Sequence, residues 1–168
     1  MDGLDCTILV EYVAVEFVLE GRRCRWWRLS FSAAEKDIIL HADGKYSPSG
    51  ARTCRKDVLR LLKNDLVEFY RSRRFADKKV CSYYVKTILL HLLEEQADPE
   101  LWSEDCLRCR YLDALRRISA DLKCGYIEHY FIADENILSD KHIPGRELTA
   151  VKRHFLKKYL RYDSNNRG

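Results

Sequence analysis

Long uncharged apolar runs are absent from this 168-residue chain, and glycine and proline are scarce, at seven and three residues. Without a run of about 18 apolar residues we expect no membrane span. The acidic residues Asp2 and Asp5 argue against a secretory leader. With few helix breakers, 46% hydrophobic residues and 33% charged residues, the composition favours a mostly helical globular fold over a disordered chain.

The cysteines lack the pattern of a disulfide framework or a zinc site. There are seven, an odd number, scattered singly through apolar stretches, which predicts reduced thiols in a cytoplasmic protein. Cys106 and Cys109 have the spacing of half a zinc site, but no second pair or histidine lies at ligand spacing. His41 and Cys54 add two ligands at most, so we predict no zinc.

Motifs of common catalytic sites are also missing. The chain has no glycine-rich phosphate loop, no nucleophile elbow and no paired carboxylates with a mechanism. Positive charge is unevenly distributed instead: residues 52–79 hold ten basic and four acidic side chains, and residues 146–168 hold seven and two. Such patches can collect phosphate groups, or they can be ordinary solvated helix faces.

Alternation of side chains predicts a strand that leads into a helix. From Trp27 to Phe31 apolar residues alternate with polar ones, and Glu35 follows Ser32 at the spacing of a capping box. A helix beginning at Ser32 would place unpaired N–H groups beside the polar face of the strand. These donors and the polar side chains together could bind an anion. An ordinary edge strand with a solvated face is the alternative. The polar residues of this face are Arg28, Ser30 and Ser32.

The remaining elements follow from apolar periodicity. Residues 6–19 predict a second strand, which pairs with the first as a hairpin after a turn at 20–23. Helices are predicted at about 55–70, 82–95, 107–122 with a stop at Gly125, and 147–162, with a compact irregular segment at 126–138. The apolar face of the last helix is predicted at Leu148, Val151, Phe155, Tyr159 and Leu160. The helix at 82–95 is apolar on nearly every face, which is typical of a central helix.

Two helices carry candidate binding residues. On the helix predicted at about 55–70, a basic ridge is formed by Lys56, Arg60 and Lys63, which are spaced by four and three residues. The helix predicted at 82–95 begins with Ser82 and Tyr83, where a hydroxyl can bind phosphate and an aromatic ring can stack on a base. The alternative is that Ser82 is only the helix N-cap and the tyrosine only packs.

Four motifs, in this order, resemble the Mab-twenty-one family: WRLSFSAAEK, CRKDVLRLLK, SYYVKTILLHLLEE and EHYFIADENIL, with Trp102 between the last two. The likeness spans about residues 27–138 and is strongest to the branch of the cyclic GMP-AMP synthases and their receptor-like members. It implies that residues 1–31 are a partial nucleotidyltransferase sheet. Residues 32–168 are then the mainly α C-terminal domain, a bundle similar to a helix-two-turn-helix.

The resemblance also implies roles for individual residues. Lys63 and Ser82 match contacts to a triphosphate, and Tyr83 matches a tyrosine that stacks on a base. Lys56 and Arg60 match positions that approach the nucleic-acid backbone, through contacts that are independent of sequence and sensitive to salt. Further nucleotide contacts of the family correspond to Arg28, Ser30, Ser32 and Glu35.

The departures from the family pattern concern its metal ions. Asp5 matches one of three carboxylates that hold two magnesium or manganese ions, and the other two carboxylates are absent. We therefore expect this chain to be inactive alone, and to be the C-terminal part of a longer protein or a shortened gene product. Only His41 and Cys54 remain near the zinc-binding insertion of the family, which again predicts no zinc.

Two functions stay open. In the first, the chain binds ATP or GTP and double-stranded DNA or RNA, and the complete protein makes a cyclic dinucleotide in innate immune sensing. This hypothesis includes a homodimer on nucleic acid and a cytoplasmic or nuclear location, and it predicts no membrane partner. In the second, the chain is a non-catalytic scaffold or binding module in signalling or development, whose pocket residues serve folding only.

Overall fold

The structure is a computed structural model, and it describes residues 11–19, 22–40, 52–73, 75, 80–139 and 143–164. In these ranges the chain forms a hairpin, five α-helices and two short 3-10 turns, at Pro99–Trp102 and Glu104–Cys106. The strands are β1 (Glu11–Leu19) and β2 (Arg22–Ser30), and the helices are α1 (Ser32–Leu40), α2 (Arg55–Ser72), α3 (Ser82–Glu95), α4 (Leu107–Cys124) and α5 (Gly145–Ser164). No helix within these ranges is long and apolar enough to cross a bilayer.

The predicted hairpin is confirmed by its backbone pairing. β1 and β2 are antiparallel, with Glu11 opposite Ser30 and Leu19 opposite Arg22. β2 begins at Arg22, five residues before Trp27, so the strand is longer than the alternation alone predicted. Residues 6–10 of the other predicted strand lie outside the described residues.

The helix predicted to begin at Ser32 is also confirmed, as α1. The backbone N–H of Glu35 donates to the carbonyl of Phe31 at 2.8 Å, which closes the first turn directly after β2. The side chain of Glu35 is buried and its carboxylate accepts a hydrogen bond from Lys86 of α3. A strand and a helix therefore meet without a loop, and the helix start is joined to the bundle.

The core forms around α3, as the apolar character of that helix predicted. α3 contacts α1, α2 and α4, and α4 packs in turn against α5. Burial removes the large apolar side chains of α3 from water, and each contributes roughly 1.5–3 kcal/mol to stability. The buried residues of α3 are Tyr84, Val85, Thr87, Ile88, Leu89, Leu90, Leu92 and Leu93.

Trp102 connects the 3-10 turn at Pro99–Trp102 to the start of α2. Its side chain is fully buried and its Nε1 donates to the carbonyl of Gln96 at 2.8 Å. Its own carbonyl accepts from the backbone N–H of Cys54 at 2.8 Å, directly before α2 begins. The guanidinium of Arg55 lies over the indole, 5.5 Å from the ring centroid. The family-like tryptophan therefore fixes where the basic helix starts.

The irregular segment at 126–138 is compact, as predicted, and one asparagine organises it. α4 ends at Gly125, whose φ of 74° is in the left-handed region that glycine adopts without a Cβ penalty. The side-chain oxygen of Asn136 accepts from the backbone N–H groups of Ile127 and Leu138, each at 3.1 Å. Its amide nitrogen donates to the carbonyl of Gly125 at 3.0 Å.

The last predicted helix is present but differs in two respects. α5 begins at Gly145, two residues before the predicted start. Leu160 was predicted to face the core, and this prediction is wrong because Leu160 is 54% exposed. The buried stripe of α5 passes through Val151 and Phe155. At 3.6 residues per turn Leu160 points well away from that stripe, whereas Tyr162 returns to it and meets the ring of Tyr111 at 5.4 Å.

One basic residue of α5 is structural and not part of a solvated face. Lys158 donates to the carboxylate of Asp65, and it also donates to Glu68 of α2 at 2.8 Å. Asp65 is 4% exposed and accepts a second hydrogen bond from the hydroxyl of Tyr111. Burial and this hydrogen bond raise the pKa of Tyr111, so the phenol stays protonated and remains the donor.

We predict that Lys158→Met lowers the free energy of unfolding by about 2 kcal/mol, because buried Asp65 loses a charged hydrogen-bond donor. Lys157→Met is the matched control, since Lys157 is an exposed lysine one residue earlier, and we expect a change within about 0.5 kcal/mol. Urea denaturation measures both. Equal unfolding midpoints for the two variants would contradict the prediction.

Candidate functional site

The opening of α3 carries exposed polar groups at the edge of the core. Ser82 is the first residue of the helix and is exposed, whereas Cys81 holds the cap position with extended backbone angles. The alternative that Ser82 is only the N-cap is therefore wrong. The first N–H groups of an α-helix have no intrahelical acceptor, so Ser82 stands where an anion is favoured.

Tyr83 is held by a histidine from the irregular segment. Its hydroxyl lies 2.8 Å from Nε2 of His129. Nδ1 of His129 accepts the backbone N–H groups of Phe131 and Ile132 at 3.0 and 3.1 Å, so we infer that Nδ1 carries no proton. In the neutral imidazole the proton is then on Nε2, which donates to Tyr83. The tyrosine hydroxyl keeps its own proton for another acceptor.

An ion pair joins the first turn of α1 to the first turns of α3. Nζ of Lys86 donates to Glu35, and the two side chains are 23% and 5% exposed. The same ammonium lies 5.7 Å from the centre of the Tyr83 ring. Burial, followed by the nearby charge of Glu35, raises the pKa of Tyr83 to about 12, so the phenol is neutral at physiological pH.

Aromatic rings complete one side of this site. Phe31, which links β2 to α1, stacks on Phe131 with ring centres 4.6 Å apart. It also meets the edge of His129 at 5.3 Å. Three separate parts of the chain therefore converge at the opening of α3. We call this group the α3-opening cluster: Phe31, Glu35, Tyr83, Lys86, His129 and Phe131.

The cluster combines groups that suit a nucleotide. A half-buried tyrosine ring offers a stacking face, and its hydroxyl is oriented by the imidazole. Ser82 and the start of α3 add donors on the adjacent turn. Glu35 and Tyr83 are the two predicted site residues that the described contacts bring together, through Lys86.

Other predicted site residues lie elsewhere or cannot be placed. Lys63 is a half-buried residue of α2, and no described contact links it to the α3-opening cluster. Ser32 begins α1, and Arg28 and Ser30 lie on β2, where the description covers the backbone alone. Asp5 and His41 lie outside the described residues. The roles of these residues remain predictions.

The basic ridge of α2 is partly neutralised. Arg60 is exposed, but its guanidinium donates to Asp57 at 2.7 Å on the same helix. Asp57 also lies 4.0 Å from Arg52, which in turn pairs with Glu104 at 3.0 Å. Lys56 is half-buried on the preceding turn. Carboxylates therefore alternate with the cations and reduce the positive field of this helix face.

Metal-binding groups are sparse in the part of the chain that the structure describes. No three histidine, cysteine, aspartate or glutamate side chains cluster there as a metal site. Cys54, Cys106 and Cys109 are free thiols. Burial raises the pKa of the Cys54 thiol to about 11.

Sequence reasoning missed Lys86, His129 and Asn136 as site residues. All three lie inside motifs that carry the family resemblance, SYYVKT and EHYFIADENIL. Periodicity gave no signal for Lys86 and His129, because their partners are distant in the chain: Lys86 and Glu35 are 51 residues apart, and Tyr83 and His129 are 46 apart. Asn136 forms hydrogen bonds with residues within 11 positions, but it lies in an irregular segment where periodicity does not apply.

The helical lobe matches a known family. The model of the Mab-21 protein HhH/H2TH-like domain matches residues 54–160, and the chain therefore belongs to the Mab-21 family. The resemblance read from the four motifs is confirmed.

Curated relatives agree with this assignment. Cyclic GMP-AMP synthase of Sus scrofa is 32% identical over 149 residues, which are 83% of this chain and 28% of that protein. The synthase of Mus musculus is 32% identical over 143 residues, 83% of this chain and 27% of that protein. A cyclic GMP-AMP synthase-like receptor of Magallana gigas is 38% identical over 132 residues, which are 76% of this chain and 20% of that protein. The chain thus spans less than a third of the length of these relatives.

We predict that His129→Ala lowers the free energy of unfolding by roughly 1–3 kcal/mol, because the backbone N–H groups of Phe131 and Ile132 lose their acceptor. His129→Asn should cost less, since its side-chain oxygen can still accept them. A double-mutant cycle of His129→Asn and Tyr83→Phe measures the hydrogen bond between Tyr83 and His129, because each variant removes one partner of that bond. In urea denaturation, equal losses for the alanine and asparagine variants would contradict the hydrogen-bond assignment.

Proposed function

We propose that the chain is the nucleotide-binding helical lobe of a cyclic GMP-AMP synthase-like nucleotidyltransferase, and that it binds ATP or GTP at the opening of α3. The observation that carries the proposal is the hydrogen bond between Tyr83 and His129, which fixes a half-buried aromatic ring beside the exposed Ser82. An oriented ring at a helix N-terminus provides a stacking surface and phosphate donors together.

The proposal assigns roles to the predicted residues. Tyr83 stacks on the base, and Ser82 with Lys63 binds the triphosphate. Arg28, Ser30 and Ser32 contribute from the end of β2 and the start of α1. Glu35 holds Lys86 beside the tyrosine ring, so its contribution to binding passes through that lysine. Residues 1–31 and 32–168 are the corresponding parts of the nucleotidyltransferase sheet and the helical domain.

ATP titration followed by thermal unfolding and calorimetry tests this proposal. A ligand that binds only the folded chain raises its melting temperature, and the stabilisation grows with the logarithm of the ligand concentration above Kd. Tyr83→Ala should weaken ATP affinity by about tenfold, because base stacking is worth roughly 1–3 kcal/mol. Lys63→Ala should weaken it by about tenfold through loss of a charged hydrogen bond.

Matched controls are available for both substitutions. Tyr126→Ala removes an exposed tyrosine of the irregular segment, and Lys123→Ala removes an exposed lysine near the end of α4. Neither should change ATP affinity, and Tyr83→Phe should give an affinity between those of the parent chain and Tyr83→Ala, because the ring remains but its hydrogen bond to His129 is lost. A chain that ATP does not stabilise, or controls as damaging as the site variants, would leave the scaffold function as the better account.

Nucleic-acid binding is the second part of the proposal, and Lys56 and Arg60 on the basic ridge of α2 support it. Backbone phosphates of double-stranded DNA or RNA would contact this ridge without regard to sequence. A dimer on nucleic acid belongs to the same proposal. The carboxylate of Asp57 weakens the ridge, so the predicted affinity is modest and sensitive to salt.

Arg60→Gln should weaken duplex binding and lower the slope of log affinity against log salt by about one. Arg116→Gln is a close control, because Arg116 is exposed and pairs with Asp113 three residues earlier, as Arg60 does with Asp57. Lys56→Ala should act like Arg60→Gln. Fluorescence anisotropy over a salt series measures these effects, and binding that is undetectable or independent of salt would remove this part of the proposal.

Catalysis belongs to the longer protein in this proposal. Two-metal transfer needs several carboxylates, and Asp5 is this sequence's one match to the family's metal-binding set, so no step through magnesium or manganese is derived for this chain. With the missing carboxylates supplied, the complete protein would make a cyclic dinucleotide in innate immune sensing in the cytoplasm or nucleus. The alternative is a non-catalytic signalling or developmental module, which nucleotide would not stabilise.

A further inference from the structure

A second basic cavity lies away from the α3-opening cluster. It has a volume of about 350 Å³ and opens between the end of α2 and the first turns of α5. None of its lining residues belongs to the cluster. The lining residues are Arg73, Gly145, Arg146, Thr149, Ala150 and Arg153, and we call this space the α5 cavity.

The helix geometry explains why three arginines line one space. Arg146, Thr149, Ala150 and Arg153 are three or four residues apart and therefore share one face of α5. The short side chains between the two arginines leave room over the helix. Arg73, directly after α2, closes the other side, and its guanidinium lies 6.0 Å from the centre of the Phe69 ring.

The positive charge of this cavity has no counterpart in the part of the chain that the structure describes. No ion pair there joins Arg73, Arg146 or Arg153 to a carboxylate. Like charges that share one surface repel each other, and among the described residues no ion pair offsets this repulsion, unlike the ridge of α2, where Asp57 pairs with Arg60. An anion between the three would convert that repulsion into attraction.

The acidic residue next to the cavity is committed elsewhere. Glu147 follows Arg146 in α5 but is 1% exposed, and its Oε1 accepts hydrogen bonds from the hydroxyl of Tyr70 and the backbone N–H of Val80. These bonds fix the first turn of α5 against the end of α2. The buried carboxylate therefore anchors the helix start, while Arg146 remains exposed beside the cavity.

We propose that the α5 cavity is a second anion site and binds a phosphate-bearing ligand through Arg73, Arg146 and Arg153. The planar guanidinium matches two oxygens of a phosphate group, and three of them favour several phosphates over a single carboxylate. The phosphates can belong to a free polyphosphate group or to the backbone of a nucleic acid, and the chemistry of recognition is the same for both.

Inorganic tripolyphosphate is the first probe, titrated into the 168-residue chain by calorimetry. Arg146→Gln and Arg153→Gln should each weaken its binding by about tenfold. Arg161→Gln is the control, because it removes an exposed arginine of the same helix that does not line the cavity. Unfolding midpoints measured without ligand should agree among the three variants, which separates binding from folding.

A short DNA duplex is the second probe and identifies the source of the phosphate. If both arginine variants weaken duplex and tripolyphosphate alike, the ligand is a nucleic-acid backbone, and if they weaken tripolyphosphate alone, it is a compact polyphosphate. The proposal is overturned if tripolyphosphate does not bind, or if Arg161→Gln weakens it equally. Weakening by Lys63→Ala without weakening by Arg146→Gln would also overturn it, since the anion would then bind at the nucleotide site.

Discussion

The burial of α3 on nearly every face constrains the whole molecule. A helix with so many buried residues has accessible polar groups mainly at its two ends: Ser82, Tyr83 and Lys86 at its opening, and Glu94 and Glu95 at its close. Helices α1, α2 and α4 pack against it, and α1 is tied to it by the ion pair between Glu35 and Lys86. The first turn of α3 must therefore bury some side chains in the core and leave others accessible to a nucleotide.

Hydrogen bonding gives this site its rigidity. Asn136 organises the segment after α4, that segment presents His129, and the tautomer of His129 determines the direction of its bond to Tyr83. Each step depends on a group that is already fixed by backbone hydrogen bonds. A ring held in this way loses little conformational entropy when a base stacks on it, which is the physical basis of preorganised binding.

Much of the fold could be predicted from local sequence, because helix periodicity and stop signals act over a few residues. The start of α1 at Ser32, the end of α4 at Gly125 and the central position of α3 all follow from such signals. Leu160 was misassigned because the apolar stripe of α5 turns away before reaching it. The partners of Lys86, His129 and Lys158 were not predictable, since they are set by packing between distant segments. The Mab-21 match over residues 54–160 accounts for the family resemblance of the motifs in that range.

Photoaffinity labelling with an azido derivative of ATP, followed by peptide mass spectrometry, tests most directly whether nucleotide binds at the opening of α3. The account predicts that label accumulates on the peptides that contain Tyr83 and His129, and that excess unmodified ATP prevents it. Label confined to α5 or to the surface of α4, or labelling that ATP does not displace, would contradict it.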